Sequence, residues 1–229
     1  MFFAINYNYP FYVYMAIVLA YVVALVVGFT MHEAAHAFVA TKEGDLTPKA
    51  YGRLTLNPIK HIDAVGLIML LLVGFGYAKP VPVNPYNFKR GRLSDFLVSF
   101  AGIFVNLLLA LFFGILWSVF EVFAPSAIYS PNFFSAFLQV VLQYGMLINI
   151  SLAVFNLLPI PPLDGYRMTS ALLGQKGYKF RSFMEKYSLV FMIVLAIVVM
   201  FGYNFIGQVA FFTRDGIIWI FEKLFGLFA

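Results

Sequence analysis

The sequence predicts an all-α, polytopic membrane protein, a bundle of about four to six transmembrane helices, and three observations carry that prediction. Of its 229 residues, 62% are hydrophobic and only 11% are charged, a balance too apolar for an ordinary water-soluble domain. Four apolar runs, at residues 11–41, 94–122, 133–158 and 187–203, approach or exceed the roughly 20 residues that cross a bilayer as a helix. The basic residues gather in loops between these runs, so membrane orientation explains the formal net charge of +5 better than nucleic acid does.

The first run has no basic stretch or small-residue cleavage site ahead of it and is longer than a signal core, so it reads as a retained helix. A fifth run, 64–77, is apolar but short, contains Gly66, Gly74 and Gly76, and stops before the proline-rich stretch 79–85. Those features suit a re-entrant segment that enters the membrane and returns. Basic clusters at 42–60, 79–92 and 176–186, against none in the N-terminus or in 124–132, place the three clusters in the cytoplasm and the N-terminus outside. A full crossing by 64–77 would separate the first two clusters, so charge also favours re-entry. The tail 204–229 carries Arg214, Asp215, Glu222 and Lys223 among aromatic residues, which suits a short hairpin or an amphipathic helix lying along the membrane interface, the second being favoured. With no repeat and no long polar linker, the expectation is a single membrane-embedded domain over 1–229, its catalytic core at about 11–173 and its C-terminal helices at 187–229.

The chain has no cysteine, so any metal takes its ligands from His, Asp or Glu. His32-Glu33-Ala34-Ala35-His36 stands near the end of the first run, and imidazoles four residues apart share one helical face and can grip one zinc ion. Glu33 points elsewhere on that helix and is the candidate general base for water held at the metal. The plain alternative is a polar helix end, but ionisable groups at membrane depth are costly and usually mark function. Asp164 is the best third ligand: it follows 155–163, where prolines break a helix, and Gly165 permits a sharp turn. An Asp-Gly pair is also ordinary turn sequence. Topology decides between the two, because Asp164 meets the histidines only if 133–158 ends in the cytoplasm, which sends 94–122 outward and leaves 79–92 inside, as the charge pattern requires. His61 is an alternative ligand or a structural or gating residue. Asn106, Asn149 and Asn156 need hydrogen-bond partners at membrane depth; Asn106 and Asn156 serve either as interhelical ties or as donors to a substrate carbonyl or oxyanion.

The early motif His32-Glu33-Ala34-Ala35-His36 and the late motif Asn156-Leu157-Leu158-Pro159-Ile160-Pro161-Pro162-Leu163-Asp164-Gly165 together resemble the site-2 protease family of intramembrane zinc metalloproteases. The resemblance covers about 11–173 and is strongest to the small bacterial and archaeal members that consist of little beyond the core. It implies zinc on His32, His36 and Asp164, Glu33 as the catalytic glutamate, and a site below the cytoplasmic surface. It further implies an extended or hairpin element at 51–58 that dips into the membrane and offers an edge to an unwound substrate strand. Many relatives carry proline after the glycine where this chain has Gly102-Ile103. The expected function is thus hydrolysis of peptide bonds in transmembrane proteins or peptides, with one Zn2+ per chain and the lipid bilayer as partner, and no nucleic acid. The competing readings are a metal-binding membrane transporter and a catalytically silent scaffold.

Overall fold

A computed structural model describes residues 10–73, 78–200 and 205–227. In chain order the α-helices are α1 (Phe11–Lys42), α2 (Thr47–Ala50), α3 (Ala64–Val73), α4 (Arg92–Phe123), α5 (Ser126–Tyr129), α6 (Phe133–Asn156), α7 (Asp164–Leu173), α8 (Tyr178–Lys186), α9 (Ser188–Met200) and α10 (Phe205–Phe225). Short 3-10 turns occupy Pro58–Lys60, Pro85–Asn87 and Gly174–Gly177. Among the described residues there is no strand, and α1, α4 and α6 are long and apolar enough to cross a membrane. The all-α polytopic prediction holds. The fourth expected span, 187–203, lies partly outside the described residues, and α9 is its described part.

The polarity of α4 is that of a helix whose solvent is lipid. It buries Ser94, Ser99, Asn106 and Ser118 completely while exposing Phe104, Leu107, Leu108 and Phe112, the reverse of a water-facing amphipathic helix. On α1 the buried positions include Ala16, Ala20, Ala24, Ala37 and Ala40, small residues that let neighbouring helices approach closely.

The contacts divide into two compact units: one formed by the chain up to Gly28, by Leu107–Ser151 and from Ile206 onward, the other by Phe29–Asn106 and Leu152–Phe205. In the first, the Tyr12 hydroxyl donates to the Pro131 carbonyl at 3.1 Å, so the start of α1 lies beside the connection between α4 and α6. Here α10 departs from the interfacial placement expected of the tail. Ile217 sits against Gly114, and the rings of Phe225 and Phe123 are 6.2 Å apart, so α10 runs alongside α4 in the same direction. A glycine on α4 admits the Ile217 side chain, and aromatic packing closes the end of the pair.

In the second unit, the Lys79 N–H donates to the His61 carbonyl at 2.8 Å. The chain that leaves at His61 into α3 therefore returns to its point of departure, as a re-entrant segment does and a full crossing does not; residues 74–77 of the expected segment lie outside the described residues. The implied hairpin at 51–58 is absent from the described structure. Its backbone groups are taken locally: the Gly52 and Arg53 N–H groups donate to Lys49 and Pro48 carbonyls, the Thr55 N–H to the Arg53 carbonyl, and the Asn57 side chain caps the next turn. A segment so folded on itself has no second strand with which to build a ladder.

Candidate metal centre

Helix α1 carries both imidazoles on one face, one turn apart. His32 Nδ1 is 2.6 Å from Asn106 Oδ1 and His36 Nδ1 is 2.7 Å from the Val98 carbonyl. A carbonyl only accepts, so His36 carries a proton on Nδ1, and in the neutral ring its Nε2 presents a lone pair. Asn106 Oδ1 fixes His32 in the same tautomer. Both partners come from α4, which thereby orients the rings and leaves the two Nε2 atoms facing inward, 3.1 Å apart.

The third group arrives on irregular backbone. Helix α6 ends at Asn156, the chain turns through the prolines, and Asp164 opens α7 with its carboxylate in the first helical turn, where the helix dipole favours negative charge. Gly165 is required by contact: a Cβ there would collide with the backbone of Leu157 and Leu158. Arg167 ties α7 to Asp95 of α4 at 2.7 Å, and the Tyr166 hydroxyl donates to Glu185 of α8 at 2.7 Å.

The structure thus brings Asp164 Oδ2 to 3.2 Å from the Nε2 atoms of both His32 and His36, and the three donor atoms lie within 4.8 Å of one another. With both rings neutral and their Nδ1 protons committed, three lone-pair groups converge at a buried point, and Asp164 Oδ2 has no hydrogen-bond donor. Uncompensated lone pairs in a buried setting are unfavourable, and a divalent cation accepted by two imidazoles and a carboxylate is the group that fits. Gly102 of α4 makes the room: a Cβ there would lie 2.5 Å from His32 Cε1 and 2.6 Å from His36 Nε2.

Glu33, buried in the same turn of α1, accepts a hydrogen bond on Oε2 from the Val81 N–H at 2.9 Å. Val81 belongs to the loop after the re-entrant segment, and two acids just past α1 hold that loop in place. Asp45, fully buried, accepts from the N–H and hydroxyl of Thr47, the Asn84 N–H at 2.7 Å and the Asn87 amide at 2.9 Å. Glu43 accepts from Arg90 and from the Ser94 hydroxyl. Burial pushes the Asp45 carboxyl up, but the hydrogen bonds from Thr47, Asn87 and Asn84 outweigh it and hold it below its ordinary value. The hydrogen bond from Arg90 does the same for Glu43.

Of the other candidates, Asn106 turns its Oδ1 to His32, and the Asn156 amide donates to the Leu152 carbonyl one turn back in its own helix. Asn149 likewise donates to Gly145. His61 is fully buried, with Nε2 2.7 Å from the Thr55 carbonyl, and lies outside the group of convergent donors. Sequence reasoning gave no role to Val81, Val98 or Gly102, which act through a backbone N–H, a backbone carbonyl and an absent side chain.

Two imidazoles on a helix long and apolar enough to cross a bilayer, met by a carboxylate from the start of α7, fit a membrane metalloprotein of the zinc-hydrolase kind. Comparison with known proteins makes that specific. Residues 117–201, which include Asn156 and Asp164, match the model of peptidase family M50. The chain is 41% identical over 210 residues to "Putative zinc metalloprotease YwhC" of Bacillus subtilis, covering 89% of this chain and 91% of that one. It is 33% identical to "Putative zinc metalloprotease Rip2" of Mycobacterium tuberculosis over 74% of this chain and 63% of that one. It is 30% identical to "Putative zinc metalloprotease MJ0611" of Methanocaldococcus jannaschii over 66% and 71%. No solved structure matches. The chain belongs to peptidase family M50, the site-2 protease family, and is a multi-pass membrane zinc metalloprotease with Zn2+ as its cofactor.

Proposed function

We propose that this metalloprotease cleaves transmembrane proteins or peptides within or near the cytoplasmic side of the bilayer, with His32, His36 and Asp164 as zinc ligands and Glu33 as catalytic base. The observation that carries the reading is the convergence of His32 Nε2, His36 Nε2 and Asp164 Oδ2, in the helix turn that also carries Glu33. The site sits on α1 six to ten residues before Lys42, roughly 9–15 Å along the helix from its end at 1.5 Å per residue. That depth suits a peptide bond inside the membrane boundary.

Zinc in this donor set supplies a Lewis acid that acidifies water and polarises a carbonyl. Glu33, fixed through Oε2 by Val81, takes a proton from the attacking water on its other oxygen while the water oxygen bonds to the scissile carbon. It then returns that proton to the departing nitrogen as the C–N bond breaks. Asn106 and the Val98 carbonyl keep the imidazoles in the tautomer that ligation needs. An apolar groove of about 430 Å³ beside α1, lined by Met31, Ala34, Phe38, Leu54, Leu56 and Val105, fits an apolar segment unwound from a helix, as cleavage of a transmembrane helix requires. The basic loops support a cytoplasmic position for this end of the molecule, with the N-terminus outside. We take 1–229 as one proteolytic domain whose core is about 11–173.

The test is zinc content together with cleavage of a model transmembrane substrate in liposomes, for the wild type and Glu33→Gln from matched preparations. Equal zinc with cleavage by the wild type alone is the expected result. Zinc in both with cleavage by neither, across several substrates, overturns it; metal flux across the same vesicles then favours a transporter and its absence a scaffold.

A further inference from the structure

We infer that the feet of the re-entrant segment form a binding site for the phosphate-bearing headgroup of an anionic phospholipid. A cavity of about 510 Å³ opens there, lined by Lys60, Lys79, Arg53, Tyr51 and Ile59 together with Pro80 and Pro82. Three cations and no acid line it. Arg53 is buried, and its guanidinium donates to the Lys60 and Lys79 carbonyls, bridging the two feet. That arrangement fixes the lysine backbones beside one another. Among the described residues neither the Lys60 nor the Lys79 ammonium group has an anionic partner.

Three features choose a lipid over a free anion or an acidic peptide. The apolar helix α3 leaves for the membrane three residues after His61, so the cavity stands where headgroups stand. Tyr51 and Ile59, both largely exposed, give the cavity an apolar rim beside its cations, matching a ligand that carries phosphate at one end and hydrocarbon at the other. The lysines can collect the phosphate as point charges without the paired fork that carboxylate recognition favours. Pro80 and Pro82 flank Val81, whose N–H holds Glu33, so a bound headgroup would brace the loop that positions the base.

The experiment measures lipid retention rather than proteolysis, on full-length Glu33→Gln protein reconstituted in nanodiscs of phosphatidylcholine with a minority of phosphatidylglycerol. Native mass spectrometry after release should show phosphatidylglycerol retained in preference to phosphatidylcholine. Adding Lys60→Gln and Lys79→Gln should lower that preference on the order of tenfold, since each basic residue at an anionic surface contributes severalfold. Lys60→Arg with Lys79→Arg should preserve it, which separates lost charge from misfolding. Lys176→Gln with Lys179→Gln, basic positions outside the cavity, should leave it unchanged. Equal losses from both glutamine pairs would reduce the site to general surface charge. Displacement of phosphatidylglycerol by millimolar inorganic phosphate would make it a small-anion site. Unaltered lipid retention with weakened binding of a substrate peptide bearing acidic residues at its membrane boundary would assign it to substrate. Any of these overturns the proposal.

Discussion

A methyl group at Gly102 would stand 2.5 Å from His32 Cε1 and 2.8 Å from His32 Nδ1, closer than van der Waals contact permits, and the helix backbone that carries it cannot withdraw without losing the Val98 carbonyl from His36. Gly102→Ala should therefore leave helicity intact while zinc per chain, measured by elemental analysis, falls well below the wild-type value. Asn106 divides two roles that residue type alone leaves open. If its Oδ1 serves to fix the His32 tautomer, Asn106→Leu should weaken zinc binding about 10–100-fold in competition with a chelator, as losses of a ligand's hydrogen-bond partner do, and Asn106→Asp, which keeps an acceptor, should retain zinc. An Asn106→Leu protein that keeps wild-type zinc affinity but loses turnover would return the residue to the oxyanion role.

The loop that contains Val81 depends on two acids at the end of α1, and its behaviour in acid follows from them. The folded pKa of both Glu43 and Asp45 lies below the ordinary values of 4.5 and 3.8, so their contribution to stability is complete above those values and is lost as pH falls through the folded ones. Protection of the 79–90 amides, taken relative to their intrinsic exchange rates, should fall below about pH 4 before that of α6 does; simultaneous loss in both would show that the loop has no separate dependence on the acids. At neutral pH, Asp45→Ala leaves the buried donors of Thr47, Asn84 and Asn87 unpaired, at a cost of about 2–3 kcal/mol. The same change should lower kcat more than it raises KM, because what moves is the loop that holds Glu33. The sequence marked 79–92 as a basic loop, but not its hold on Glu33 or its dependence on Glu43 and Asp45. His32, Glu33, His36 and Asp164 announce themselves by residue type and spacing, whereas Val81 acts through a main-chain N–H 48 residues from Glu33, which no side-chain pattern marks.

At the scale of the molecule, the sequence conveyed the apolar helices and the re-entrant run because hydropathy and loop charge report solvent directly, but it misdirected the tail. Arg214, Asp215, Glu222 and Lys223 give α10 the composition of an interfacial helix, while the decisive feature, Ile217 seated on Gly114, is a tertiary contact. The resulting topology can be checked because the chain contains no cysteine, so a single introduced thiol reports one position against a silent background. His61 and Lys79 are joined backbone to backbone, and therefore Lys60→Cys and Tyr86→Cys should react with an impermeant maleimide from the same face of sealed vesicles. Because 124–132 carries no basic residue, loop charge predicts that Ser130→Cys reacts from the opposite face. Leu227→Cys is the sharper case: α10 parallels α4 and ends where α4 ends, at Phe225 against Phe123, so it should label with Ser130. An interfacial helix on the basic side would instead label with Lys60, and that single reversal would remove α10 from the side of α4.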